Sequence, residues 1–206
     1  MSNTKFSYLA LGDSYTIGEG VPLYQSFPYQ VVNMLRTRRF NFCAPEIIAC
    51  TGWTTLELAN QLLETPLASP YDFVTLLIGV NNQYRNLPVK EYRKDFDFLL
   101  KKAIENAGGK AGNLVVLSIP DWGVTPFAKG KDIEKIAKEI DAFNVINKTL
   151  TVDYKAQYID VTTASRDLMW QSNFVVEDDL HPSAEVYADW AKLVVATIVR
   201  LIEEGE

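Results

Sequence analysis

Short apolar runs alternate with stretches of helical periodicity along the chain. "KFSYLAL" (5–11) reads as a strand and leads to a helix over 26–39, and "PEIIAC" (45–50) is a second strand followed by a helix near 54–64. "YDFVTLLIG" (71–79) is almost continuously apolar, the pattern of a strand covered on both faces. Behind it Tyr92, Phe96, Leu99, Leu100, Ala103 and Ala107 recur at helical spacing. "NLVVLSI" (113–119) is a fourth strand, Ile133, Ile136, Ile140 and Phe143 mark the next helix, and "AQYIDV" (156–161) is a fifth strand. The last helix, over 183–203, places Val186, Trp190, Leu193, Thr197 and Leu201 on one stripe. Five βα units predict an α/β fold, a parallel sheet with helices on both faces and right-handed crossovers. No repeat or linker interrupts the series, and Gly108-Gly109 reads as a helix end, so residues 1–206 form one expected domain.

Composition narrows the function classes. A net charge of −6 argues against a nucleic-acid surface. The one basic cluster, Arg36-Thr37-Arg38-Arg39, falls where a helix should end and suits the negative end of its dipole. Cys43 and Cys50 flank an expected strand, too far apart along it for a disulfide, and read as reduced packing thiols. Two cysteines and one histidine cannot supply four zinc ligands and have no ligand spacing, so a zinc site is not expected. No apolar run reaches the ~20 residues of a membrane span. A strand beginning at Lys5 leaves no room for a signal peptide, and the expected location is cytoplasmic.

The unusual residues follow the strands. After the first comes Gly12-Asp13-Ser14, after the second Thr51-Gly52-Trp53, and after the third Gly79-Val80-Asn81-Asn82. The fourth leads into Pro120-Asp121-Trp122-Gly123, and "EDDLHPS" before the final helix holds His181, the only histidine. An open α/β sheet gathers such segments beyond the carboxyl ends of its strands. A serine hydroxyl needs an adjacent base to become a nucleophile, histidine fits that role, and a carboxylate must orient the ring. Asp178 lies three residues before His181; Asp179 adjoins it, and spacing favours Asp178 without excluding the other. Pro182 keeps His181 out of helical geometry, so the helix starts after it, with Ser183 as the expected cap. The Ser14 amide, the Gly52 amide and the Asn81 side chain are candidate donors to an oxyanion. Asp13 is expected to brace the turn by hydrogen bonds.

"GDSY", a glycine after the second strand, "GVNN" after the third and "DDLH" near the end, in that order, resemble the SGNH, or GDSL-type, hydrolases. The resemblance implies a three-layer, flavodoxin-like α/β/α fold with a five-stranded parallel sheet of order 2-1-3-4-5, and neither metal nor organic cofactor. It implies Ser14 as nucleophile, the Ser14 amide, Gly52 and Asn81 as oxyanion hole, and Asp178 and His181 as the acid-base pair. One departure stands out: Asn82 occupies the place where the third block commonly has Asp, which leaves the anchoring of that loop open.

The expected partner is a small-molecule ester, with a small acyl ester or lysophospholipid as leading substrate and an acetylated sugar as alternative. Tyr15, Trp53, Tyr84, Trp122 and Phe127 are candidates for an apolar pocket, or else caps on the core. A competing class is a flavin- or phosphate-binding module, since "DSYTIGEG" has the content of a phosphate-cradling turn; it lacks G-x-G-x-x-G and gives His181 no role. An interaction protein with a decayed site is a third class, disfavoured because every polar participant is present.

Overall fold

A computed structural model describes residues 5–167 and 173–205. The elements in chain order are β1 (Lys5–Phe6), β2 (Tyr8–Gly12), α1 (Ser14–Ile17), α2 (Phe27–Thr37), β3 (Asn41–Phe42), β4 (Glu46–Ala49), α3 (Thr55–Glu64) and β5 (Phe73–Leu77). They continue with α4 (Val80–Tyr84), α5 (Val89–Asn106), β6 (Leu114–Leu117), α6 (Ile133–Asp153), β7 (Gln157–Ile159), α7 (Thr162–Asp167) and α8 (Ala184–Gly205).

The main sheet has the order β4-β2-β5-β6-β7 with every pair parallel. Counted within that sheet this is 2-1-3-4-5, the arrangement the resemblance implies. β2, β5 and β6 are buried at every position, which explains their unbroken apolar sequences. The polar exception, Thr75, is met by Tyr8, whose hydroxyl lies 2.8 Å from Thr75 Oγ1. Helices α2 and α8 pack together, and α3, α5 and α6 form a second row. Gln30 on α2 donates from Nε2 to the Ala184 carbonyl at 2.9 Å, tying the second helix to the start of the last.

Four local expectations are corrected. The run 5–11 is not one strand: it breaks at Ser7, whose amide and hydroxyl donate to Asp72 Oδ2 at 2.7 and 2.8 Å. β1 is thereby turned away to pair with β3 in a separate two-stranded sheet. The buried stripe of α8 runs through Val186, Tyr187, Trp190, Ala191, Val194, Val195 and Ile198, while Leu193 is exposed. This helix is apolar over so much of its circumference that two stripes fit the sequence, and its packing against α2 selects the other one. Cys50 is exposed rather than packed, because it lies just past the end of the edge strand β4; both cysteines are free thiols. Ser183 stands before α8 and its carbonyl accepts from Tyr187, but its hydroxyl caps no amide among the described residues.

Candidate active site

Each loop at the carboxyl edge of the sheet owes its shape to a local cause. β2 ends at Gly12, where a side chain would put Cβ 2.1 Å from Thr16 Oγ1 and 2.4 Å from the Leu77 carbonyl. The bare glycine lets α1 fold back tightly over the strand end. Asp13 caps that helix, accepting from the Tyr15 amide at 3.1 Å through Oδ1, and Ser14 is the first helical residue.

Beyond β4 the chain reverses through Cys50-Thr51-Gly52-Trp53, closed by the Trp53 amide on the Cys50 carbonyl at 3.3 Å. Gly52 has φ +79°, the conformation that the third position of a type II turn requires. Beyond β5, Asn81 lies in the first turn of α4 and donates from Nδ2 to the Trp53 carbonyl at 3.0 Å, which among the described residues leaves its second amide proton unused.

The anchoring by Asn82 is explained by the same contacts. Its Oδ1 accepts from the Thr55 amide at 3.0 Å and its Nδ2 donates to Thr55 Oγ1 at 2.8 Å. Thr55 Oγ1 in turn lies 3.3 Å from Asp95 Oδ2, to which it donates. With its proton directed to Asp95, this hydroxyl needs a donor on its other side, which an amide supplies and a carboxylate does not.

His181 lies in the segment before α8, pinned by the Val176 amide on its carbonyl at 2.9 Å and by the bridge of Val175 with Pro182. Of the two adjacent acids, Asp178 faces the ring, with Oδ2 2.6 Å from His181 Nδ1. Its Oδ1 accepts from the Leu180 and His181 amides, each at 2.9 Å. Partial burial opposes the Asp178 charge, but the bonds from the His181 ring and the two amides outweigh it and hold the carboxyl below its ordinary range. Asp179 instead turns through φ +63° and offers its carbonyl to the Phe127 amide at 3.0 Å.

Ser14, Gly52, Asn81 and His181 line one cavity of about 180 Å³. Its apolar side is Tyr15, Val80, Tyr84, Trp122, Phe127 and Leu180. The Tyr15 ring lies 5.4 Å from the His181 ring and 6.1 Å from Trp190, which in turn touches Phe27 of α2. Among the described residues no hydrogen bond joins the Ser14 hydroxyl to the imidazole, although both line the same cavity. Trp122 meets Tyr84 edge-on at 5.4 Å, and its Nε1 donates to Gln83 Oε1 at 2.7 Å. Gln83 passes the link to Glu139 at 2.8 Å, so α6 fixes the indole wall. Trp53 is a correction to the expected pocket: it does not line this cavity, because the turn brings Thr51 and Gly52 to the opening while the Trp53 side chain packs on the core.

The sequence reading missed Leu180 and Val80, plain apolar residues with no signal of their own, and Gln83, which holds the Trp122 indole. No cluster of three or more His, Cys, Asp or Glu side chains suited to a metal occurs among the described residues. Nor is any helix among them long and apolar enough to cross a membrane.

Asp13 carries a pH prediction. Burial pushes its carboxyl up to about 7, against the bonds it accepts from the backbone. The folded chain therefore holds this proton more tightly than the unfolded chain, whose carboxyl titrates near 3.9. Stability from this group is complete below about pH 4 and is lost as pH rises through about 7, a fall of about 4 kcal/mol. Thermal unfolding followed from pH 4 to 8 should show that decline, and Asp13→Asn should flatten it; equal slopes in the two proteins would exclude Asp13 as its source.

A family model described as the GDSL-like Lipase/Acylhydrolase family matches residues 10–188. No curated protein sequence matches the chain. Among solved structures, the acetylxylan esterase Axe2 from Geobacillus stearothermophilus superposes with a TM-score of 0.74 at 17% identity, covering 94% of each chain. A lipase/acylhydrolase from Enterococcus faecalis gives 0.72 at 20% identity, covering 97% of this chain and 96% of the other. TesA gives 0.71 at 15% identity, covering 93% and 97%. At such identities these likenesses establish the shared fold.

Proposed function

Since the chain belongs to the GDSL-like lipase/acylhydrolase family, we propose that it is a serine esterase working through an acyl-enzyme, with Ser14 as nucleophile, His181 as general base and acid, and Asp178 as the group orienting the ring. The observation that carries this reading is the meeting of the only histidine, backed by a carboxylate at 2.6 Å, with Ser14, Gly52 and Asn81 around one cavity. Asp178 holds the proton on Nδ1, which leaves Nε2 to take the Ser14 proton as Oγ attacks the ester carbonyl. The Ser14 and Gly52 amides and the remaining Asn81 amide proton receive the negative charge that develops on the carbonyl oxygen. His181 then returns the proton to the departing alcohol. A water deprotonated by the same nitrogen attacks the acyl-enzyme, and collapse of that second tetrahedral species releases the acid and frees Ser14.

The cavity volume bears on the acyl group. Cavities of about 150 Å³ accept a benzene-sized guest, so a space of this size suits an acyl group of up to about six carbons. A long lysophospholipid chain exceeds it. The alcohol has a different neighbour: a cleft of about 370 Å³ that shares Tyr84 and Trp122 with the cavity and continues past Ile136 to Asn86, Lys131, Asp132 and Glu139. An aromatic wall beside amide and charged groups favours a second reading, an acetylated carbohydrate.

Turnover of p-nitrophenyl esters from acetate to dodecanoate, with acetylated xylo-oligosaccharides alongside, tests both readings. The expected kcat/KM is highest for acyl groups of about two to six carbons and falls beyond them. A preference for dodecanoate would overturn the short-acyl reading, and no hydrolysis of any ester would overturn the esterase. Faster release of acetate from the oligosaccharides than from p-nitrophenyl acetate would select the second reading.

A further inference from the structure

We propose that Arg85 is a positioning residue for the oxyanion site, locking the Gly52 turn to the Asn81 helix; the inference rests on the acyl-transfer reading above. Among the described residues Arg85 alone hydrogen-bonds to both Gly52 and Asn81. Its backbone amide donates to the Asn81 carbonyl at 3.0 Å, and its Nη2 donates to the Gly52 carbonyl at 2.5 Å.

The second contact matters because of what the turn could otherwise do. The Gly52 N–H belongs to the peptide between Thr51 and Gly52, the central peptide of the turn. In turns of this class that peptide can rotate between type I and type II arrangements, and rotation swings the N–H to the opposite face. Here the peptide is held from both flanks: Thr51 Oγ1 donates to the Glu19 carboxylate, and the Gly52 carbonyl is held by Arg85. Arg85 is itself aimed by Glu57, whose two carboxylate oxygens lie 3.3 and 3.4 Å from Nη1. Glu57 is fixed in turn by the Thr54 amide and hydroxyl at 2.7 and 2.9 Å, where it starts α3. The Arg85 and Glu57 side chains are 45% and 42% exposed, so their ion pair adds little to stability. What the guanidinium does add is a fork wide enough to hold a carbonyl with one nitrogen and a carboxylate with the other, a geometry a lysine ammonium does not reproduce.

A donor allowed to rotate weakens transition-state binding and leaves ground-state binding alone, so kinetics separate this role from a structural one. Arg85→Met should lower kcat for a short-chain p-nitrophenyl ester about 10- to 100-fold, less than the loss of a whole oxyanion donor, with KM changed less than about two-fold. Arg85→Lys should recover part of the loss. Because the site is open to solvent, millimolar guanidinium added to Arg85→Ala should restore turnover where equal sodium chloride does not. A kcat within about two-fold of the parent in Arg85→Met, or a loss matched by a rise in KM and indifferent to guanidinium, would overturn the proposal. Labelling of the parent protein by a fluorophosphonate keeps the two levels apart. If Ser14 is not labelled, the acyl-transfer reading falls; if it is labelled and Arg85→Met keeps its kcat, only the role of Arg85 falls.

Discussion

Ser14→Ala is expected to reduce ester turnover on the order of 10⁶-fold and to abolish covalent capture by a fluorophosphonate, with the melting temperature unchanged. Such a loss follows from the division of labour in an acyl-enzyme mechanism. Without the hydroxyl no acyl-enzyme forms, and only water oriented by the remaining donors can attack. The fold should tolerate the change, because Asp13, not Ser14, caps α1. Comparing burst amplitude and steady-state rate in the two proteins, with peptide mapping of the labelled parent, is the decisive measurement. Survival of near-parent turnover in Ser14→Ala would remove the acyl-enzyme from the mechanism.

Asp178→Asn should follow closely, with kcat lowered on the order of 10³- to 10⁴-fold and KM nearly unchanged. The replacement preserves an acceptor for the Leu180 and His181 amides, so the loop should keep its shape. Against His181 Nδ1, however, it sets an NH₂ in place of a carboxylate oxygen. That favours the tautomer with its proton on Nε2, and the ring then faces Ser14 as a donor rather than a base. It also removes the charge that stabilises the imidazolium. The adjacent Asp179→Asn is the control, since that residue offers its carbonyl and not its carboxylate to the neighbouring loop. Equal losses in the two variants would mean a general disturbance of the segment, and a loss only in Asp179→Asn would reverse the assignment.

Most of the architecture was legible because it is written locally. A short, β-branched and aromatic apolar run such as 73–77, bounded by turn residues, reads as a buried strand, and glycine, serine and asparagine after successive strands mark the loops at the sheet edge. Where the outcome depends on partners distant in sequence, the pattern misleads. Ser7 looks like a tolerated polar residue within a strand until Asp72, brought alongside by the pairing of β2 with β5, captures its amide and hydroxyl. The α8 stripe could not be chosen from the sequence, because its apolar residues allow two faces and only packing on α2 decides between them. The place of Arg85 was hidden for the same reason: a guanidinium can reach in many directions, and the Gly52 carbonyl it meets lies 33 positions away. Asn82 shows the converse. It departs from the family pattern, yet Asp95 beside Thr55 makes an amide the better partner.

The bond from Gln30 to Ala184, and the aromatic contacts running from Phe27 through Trp190 and Tyr15 to His181, join early and late parts of the polypeptide. Closing a span of 154 positions has a larger entropic cost than any local turn. On the proposed mechanism, a chain whose imidazole-bearing segment has not docked lacks its general base, whatever the state of the sheet. By the same logic, an opening that releases only the last helix would silence the enzyme while its sheet stayed intact, making activity a more sensitive gauge of integrity than secondary structure.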